Sequence, residues 1–244
     1  MKQGEAFFSF FLVIIQLGAI LAVVLTFFKE LWPVQKRARA GQTISLGPLN
    51  LDRAKLDLWG KILVACVPAA IIGILFDDWI DEHLYHAVTV AIMLIIVGVL
   101  FLVAERANRN RRPDVTTLDK ITYKHAVIIG LFQVVAAILP GTSRSGATIL
   151  GAILIGLSRP LAAKFTFFLA IPVMLGASLL RFLRVGFGFN LEQWMLIFVG
   201  SAVAFLVSLV AIRFLINFVR KRDFVPFAYY RIGLGVLVLL FYWL

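Results

Sequence analysis

The chain has a single cysteine, Cys66, in 244 residues, which excludes an intrachain disulfide framework. Cys66 lies inside an apolar run, where packing is its expected role. Charge is scarce: 15% of the residues are Asp, Glu, Lys or Arg, against about 25% in soluble globular domains. Acid is scarcer still, with 13 carboxylates against 24 basic side chains. Every carboxylate falls in a connecting segment or at the end of an apolar run, and the three histidines do likewise. A metal or proton-relay cluster inside an apolar layer is therefore excluded from this chain's own acids and imidazoles. Low-complexity segments, tandem repeats and a polar appendage are all absent, so neither a repeat array nor a soluble domain is expected. No basic stripe lies on a soluble face, so the net charge of +11 describes loops at an anionic membrane surface and not a nucleic-acid partner.

What remains is apolar. Hydrophobic residues make up 61% of the chain, 22 of them Phe, and the mean hydropathy is +0.97. A soluble core grows too slowly with length to hide that much apolar surface. Lipid is the solvent this composition fits. A helix crossing the hydrocarbon needs about 20 apolar residues. Six runs qualify: 7–28, 58–76, 85–104, 161–180, 193–218 and 228–244. The first is too long for a signal-peptide core and reads as a retained span. Gly200, Ala204 and Ser208 repeat every four residues on one helix face, as close helix packing in a membrane requires.

The basic residues orient these spans. Segment 29–57, read as a cytoplasmic loop with turns at Pro33, Gly41, Gly47 and Pro48, carries Lys29, Lys36, Arg37, Arg39, Arg53 and Lys55. Segment 105–124 carries six more, and Arg159 with Arg220, Lys221 and Arg222 complete the same side. The opposite loops hold only Arg181 and Arg184, and 77–84 is acidic. The bias places the basic loops in the cytoplasm and both chain ends outside.

Stretch 125–158 breaks the pattern. His125–Leu139 and Ala147–Ser158 are each short for a span, and Pro140-Gly141-Thr142-Ser143-Arg144-Ser145-Gly146 separates them; the charge bias returns the chain to the side it left, which fits a re-entrant pair or two short spans. The expected structure is a re-entrant helix–loop–helix, since irregular backbone at membrane depth survives only where protein or a wet cavity covers it. The expected fold is thus all-α, a single polytopic membrane domain over 1–244 with six spans and one re-entrant pair.

Ionisable groups within apolar runs are functional candidates by default. Lys61, Lys164, Arg213 and Arg231 lie near the basic ends of their runs, where long side chains reach the headgroups. Arg144 is a short helix away from that face in both chain directions, so it either reaches the outer surface or points into a polar cavity, and the cavity is the expectation. Thr142, Ser143, Ser145 and Thr148 supply hydroxyls there, Gly141 and Gly146 admit backbone N–H groups, and the following helix turns its positive end to the loop. Arginine, hydroxyls and a helix N-terminus form an anion site, and the guanidinium fork suits phosphate oxygens. Gln16 and Gln133 are buried amides expected to bond between helices, with Gln133 two turns before the break and able to line the cavity. The same broken-helix site would also serve a lipid-phosphate or anion transporter or flippase.

Gly130-Leu131-Phe132-Gln133 followed by Leu139-Pro140-Gly141-Thr142-Ser143-Arg144-Ser145-Gly146-Ala147-Thr148-Ile149 resembles the second signature of the undecaprenyl-diphosphate phosphatase family, the bacitracin-resistance type. Ile15-Gln16-Leu17-Gly18, Leu118-Asp119, Ile121-Thr122-Tyr123, Phe168-Leu169-Ala170-Ile171-Pro172, Pro226-Phe227-Ala228 and Tyr230-Arg231 carry the resemblance along the chain. It implies an inverted-repeat membrane fold in the bacterial cell membrane, with roles in peptidoglycan synthesis, cell shape and bacitracin resistance. It implies hydrolysis of undecaprenyl diphosphate to the monophosphate with a divalent cation, Mg or Ca, and leaves a homo-oligomer open. It places Ser143 and Arg144 among the catalytic residues. Gly141, Thr142, Ser145, Gly146, Thr148, Gln133 and Arg231 fall to substrate binding.

The family's first signature, paired glutamates followed by Pro-Val-Ser-Ser-Thr-Gly-His, has no counterpart here, and no metal ligands are expected from this chain. Such sites lean on one or two carboxylates plus substrate phosphates. The expectation is a shortened chain, lacking the first re-entrant half, that turns lipid diphosphate over weakly or not at all. Phosphate release from farnesyl or undecaprenyl diphosphate should be slower than by a relative carrying the acidic segment; equal rates would refute this.

Overall fold

A computed structural model describes residues 2–35, 43–46, 49–186 and 188–243. Gly41, Gly47, Pro48, Lys36, Arg37 and Arg39 lie outside them. Helices dominate, in the order α1 (Lys2–Thr26), α2 (Phe28–Leu31), α3 (Arg53–Leu84), α4 (Ala87–Ala107), α5 (Tyr123–Ile138), α6 (Arg144–Leu154), α7 (Arg159–Val185), α8 (Leu191–Lys221) and α9 (Val225–Trp243). Among the described residues six helices, all but α2, α5 and α6, are long and apolar enough to cross a membrane. This is an all-α, multi-pass membrane bundle.

Two segments depart from the sequence expectation. The stretch read as a loop after the first span contains a three-stranded antiparallel sheet: β1 (Val34–Gln35), β2 (Thr43–Leu46) and β3 (Leu49–Asp52), ordered β1-β3-β2. Asp52 explains where the sheet stops, because its Oδ1 accepts the Ala54 and Lys55 N–H groups (3.0 and 3.3 Å) and so caps α3. The acidic stretch 77–84, read as a loop, is the last two turns of α3. Carboxylates do not stop a helix that has passed beyond the hydrocarbon.

The chain divides into two compact units, Met1–Trp59 with Phe167–Ile216 and Gly60–Thr166 with Asn217–Leu244. In the first, Phe10 is fully buried, with its ring centroid 4.8 Å from that of Phe189 and 6.4 Å from that of Trp194. Gly200 of α8 admits Phe11 and Ile15 of α1, as the small-residue repeat predicts. Gln16 does not bridge helices: its Nε2 donates to Leu12 O of its own helix at 3.1 Å.

The second unit is organised around α4, which runs antiparallel to α9. A Cβ on Gly98 would come 2.6 Å from Ile232 and 3.0 Å from the Ala228 carbonyl, and one on Gly235 would come 2.7 Å from the Ala91 carbonyl. Bare backbone at these points is what lets the helices meet. Gly130 likewise seats α5 against the Ala65 carbonyl of α3, and Gly151 seats α6 against the Phe132 ring of α5. Lys61, expected to reach the headgroups, is instead 6% exposed, its ammonium 5.8 Å from the Tyr123 ring centroid.

Gly233 has nothing within 4 Å of where a Cβ would sit, unlike Gly235 two residues on. Thermal unfolding of solubilised protein should therefore show Gly235→Ala destabilising by about 1–3 kcal/mol, while Gly233→Ala is neutral or stabilising.

Candidate functional site

The break between α5 and α6 is built by local chemistry. Thr122 caps α5 reciprocally with His125: its Oγ1 accepts the His125 N–H at 3.3 Å, and its N–H donates to His125 Nδ1 at 3.1 Å. Pro140 prevents α5 from continuing. Gly141 turns the chain at φ +88°, and its Cα rests on Val90 of α4, so closely that a Cβ would come 2.5 Å from the Val90 carbonyl oxygen. Ser143 holds φ 66° and ψ 118°, the one non-glycine residue with positive φ among those described. That conformation stores about 1–3 kcal/mol of strain, which the surrounding contacts must offset. Ser143 Oγ recovers part of it by accepting the Gly146 N–H (3.3 Å), which caps α6. The second short helix thus opens at Arg144, three residues ahead of the apolar run, because the cap extends it.

Sixteen and eleven residues make α5 and α6 roughly 24 and 16 Å long, both short of the ~30 Å hydrocarbon layer. Pro, two glycines and a strained serine then leave carbonyls at the break that no helix satisfies. Arg231 of α9 supplies the donor. Its Nη2 bonds the carbonyl oxygens of Gly141 (2.8 Å) and Thr142 (2.9 Å). Neither carbonyl engages Nη1, and Nε is buried without a partner. A charge-assisted bond of this kind contributes about 1.5–3 kcal/mol, more than a neutral one.

The sequence-predicted residues separate into two groups. Ser143, Arg144 and Ser145 are exposed at the head of α6, and Gly146 and Arg231 are half-buried beside them. Ser143 Oγ and Ser145 Oγ lie 3.2 Å apart. The position a Cβ would take on Gly146 is 3.5 Å from both Ser143 Oγ and Arg231 Nη1. Its bare Cα therefore leaves a notch bordered by a hydroxyl and a guanidinium.

Thr142 and Thr148 belong elsewhere. Each is 1% exposed, so their hydroxyls do not lie at the surface with those of Ser143 and Ser145. Thr148 Oγ1 donates to the Arg144 carbonyl (3.0 Å) and lies 2.9 Å from Thr166 Oγ1, which ties α6 to α7. Thr142 contributes its carbonyl to the Arg231 clamp, and its hydroxyl is buried without a partner. Gln133 is 4% exposed with Nε2 unpaired. Gly141 faces the Val90 backbone of α4. The Arg144 side chain is accessible, because α6 buries Ala147–Ile153 and leaves its first turn open.

Sequence reasoning missed Glu105. At the end of α4 it is 4% exposed and accepts from Arg159 Nε (2.9 and 3.0 Å), from Arg159 Nη2, and from the Phe224 N–H (3.1 Å). Its place at a span end made it look solvated. Only the arrival of α7 and α9 at the same point reveals the burial.

Comparison with known proteins supplies the last observation. The family model described as "Bacitracin resistance protein BacA" matches residues 1–237. The "Undecaprenyl-diphosphatase" of Desulfitobacterium hafniense is 49% identical over 242 residues, 99% of this chain and 84% of that protein. The proteins of that name from Enterococcus faecalis and Acetivibrio thermocellus are 50% and 46% identical over 240 and 242 residues, 98% and 99% of this chain and 84% and 85% of theirs.

The two break glycines should respond oppositely. Gly141→Ala meets both the positive φ and the Val90 backbone and should lose about 2 kcal/mol or more of stability. Gly146→Ala makes only ordinary contacts and should unfold within about 1 kcal/mol of the parent. Thermal denaturation in detergent distinguishes them.

Proposed function

This chain belongs to the bacitracin resistance protein BacA family, and from that membership we infer that it is an undecaprenyl-diphosphatase, acting at the head of α6. The substrate is a lipid whose diphosphate carries several negative charges at the membrane surface. Water attacks the terminal phosphorus, the bond from that phosphorus to the bridging oxygen breaks, and lipid monophosphate and inorganic phosphate leave. Charge builds on the bridging and equatorial oxygens as the bond loosens, so a catalyst must place cations and donors there in advance.

The notch at Gly146 carries this reading. Ser143 Oγ and Arg231 Nη1 border it, and Arg144 and Ser145 are exposed on the same turn. Arg144 grips the diphosphate through its planar fork and stabilises the transition-state charge. Ser143 and Ser145 bond phosphate oxygens. Arg231 divides its guanidinium, with Nη2 on the loop carbonyls and Nη1 toward the substrate. The relatives' names favour hydrolysis over transport through the same broken helix.

The family's divalent cation does not fit these side chains. Guanidiniums and hydroxyls suit a phosphate and repel or ignore a metal ion. Among the described residues no three His, Cys, Asp or Glu side chains group closely enough to hold one. No step here runs through a metal.

The break opens on the outer face, with the basic connections in the cytoplasm and α5 and α6 as a re-entrant pair. Two observations support this: the distribution of Lys and Arg, and the contact of Gly141 with Val90, one turn from the start of α4 and close to the acidic end of α3. The acyl chain then stays in lipid while the diphosphate meets the loop.

Arg144→Ala should lower phosphate release from undecaprenyl diphosphate by about 100-fold or more relative to the parent protein, with the melting temperature unchanged. Release within a few-fold of the parent would remove Arg144 from the site. Absence of any release by the parent itself, with a suitable divalent cation supplied, would overturn the hydrolase reading.

A further inference from the structure

The second unit contains a buried carboxylate that the chemistry above does not use. Ala91, Gly98 and Glu105 of α4 are spaced seven residues apart and form one stripe, which drifts by only ~20° per heptad. Opposite them on α9 stand Gly235, then Ile232 with Ala228, then the Phe224 N–H at the helix start. The first two contacts are packing contacts: Gly98 against the Ile232 side chain and the Ala228 carbonyl, and Gly235 against the Ala91 carbonyl and the Ile95 side chain. Such contacts allow close approach and set a preferred seat, but they carry no directional bond between the two helices. The third contact is directional. Glu105 accepts the Phe224 N–H at 3.1 Å while Arg159 compensates its charge, so α9 has one favoured height and rotation against α4.

That height matters at Arg231. It lies seven residues, two turns, beyond Phe224 on a rigid helix, roughly 10.5 Å along the axis. Its Nη2 must stay 2.8–2.9 Å from two carbonyls of the break, and those carbonyls are themselves seated on α4 through Gly141 and Val90. A slip of one residue moves α9 by about 1.5 Å, enough to break both bonds.

We propose that Glu105 is a positioning residue for the hydrolytic site: its buried carboxylate fixes the register of α9 on α4, and so holds Arg231 on the Gly141 and Thr142 carbonyls. Setting helix register is the best-attested use of a buried polar group. The inference rests on the hydrolase reading only for its kinetic consequence.

Two readouts test it. The first is hydrogen exchange of the amides in 139–146, which needs no turnover. Glu105→Ala should speed it about tenfold or more while α1 is unaffected. Glu105→Gln keeps an oxygen for the Phe224 N–H and should restore most of the protection. Unchanged exchange in Glu105→Ala, or equal acceleration throughout the chain, would overturn the proposal. The second is a double-mutant cycle on phosphate release. Glu105→Ala should reduce kcat about tenfold or more with KM altered less than about threefold, and adding it to Arg231→Lys should cause little further loss. Losses that multiply would show that Glu105 does not act through Arg231. A parent protein without phosphate release would sink the hydrolase reading, and the exchange result would still decide the register pin.

Discussion

Two carbonyl oxygens at the break, those of Gly141 and Thr142, need donors where the helical ladder has none to give. An unpaired polar group in a membrane protein's interior costs several kcal/mol, so the helix–break–helix persists only if another element answers it. Arg231 does, with one nitrogen bonded to both oxygens. The exposed hydroxyls, the strained serine and the open first turn of α6 all depend on that bond. A lysine would place one compact charge near the carbonyls, whereas the guanidinium can satisfy the loop and face a phosphate with different nitrogens.

The scaffold for this bond is α4. Its Val90 backbone receives Gly141, its small residues receive α9, and its Glu105 receives the start of α9. Both partners of the clamp are thus referenced to one helix, which removes most of the freedom that would let them separate. The arrangement also explains why two glycines of the break play unlike parts. Gly141 is bare because backbone presses on it, and Gly146 is bare because a side chain there would fill the space between a hydroxyl and a guanidinium.

The hydroxyls of the signature divide in the same way. Ser143 and Ser145 stay at the surface, while Thr142 and Thr148 turn inward, the latter to its own helix and to Thr166 of α7. The head of α6 therefore presents two hydroxyls, with the guanidiniums of Arg144 and Arg231 beside them. The remaining members of the motif hold the backbone that presents them. Strain at Ser143 fits this economy, because a φ of 66° is what brings its Oγ back over the first turn of α6 as a cap.

Composition and run length alone determined that this chain lives in lipid, where its six long helices lie, and that 140–146 interrupts a short helix pair. These follow from transfer free energy and from the twenty-residue length of a crossing helix, both of which are properties of consecutive residues. The motif likewise singled out Ser143 and Arg144 as candidates from consecutive residues. Tertiary structure decided which hydroxyls face outward, that Arg231 bonds the loop, that Glu105 and Lys61 are buried, and that a sheet fills the first connection. Each of those depends on side chains or strands brought together from distant positions, 90 residues apart for Arg231 and Gly141 and 119 for Glu105 and Phe224. No local pattern encodes such a meeting. A carboxylate at the end of a span reads as solvated until the helices packed against it are known.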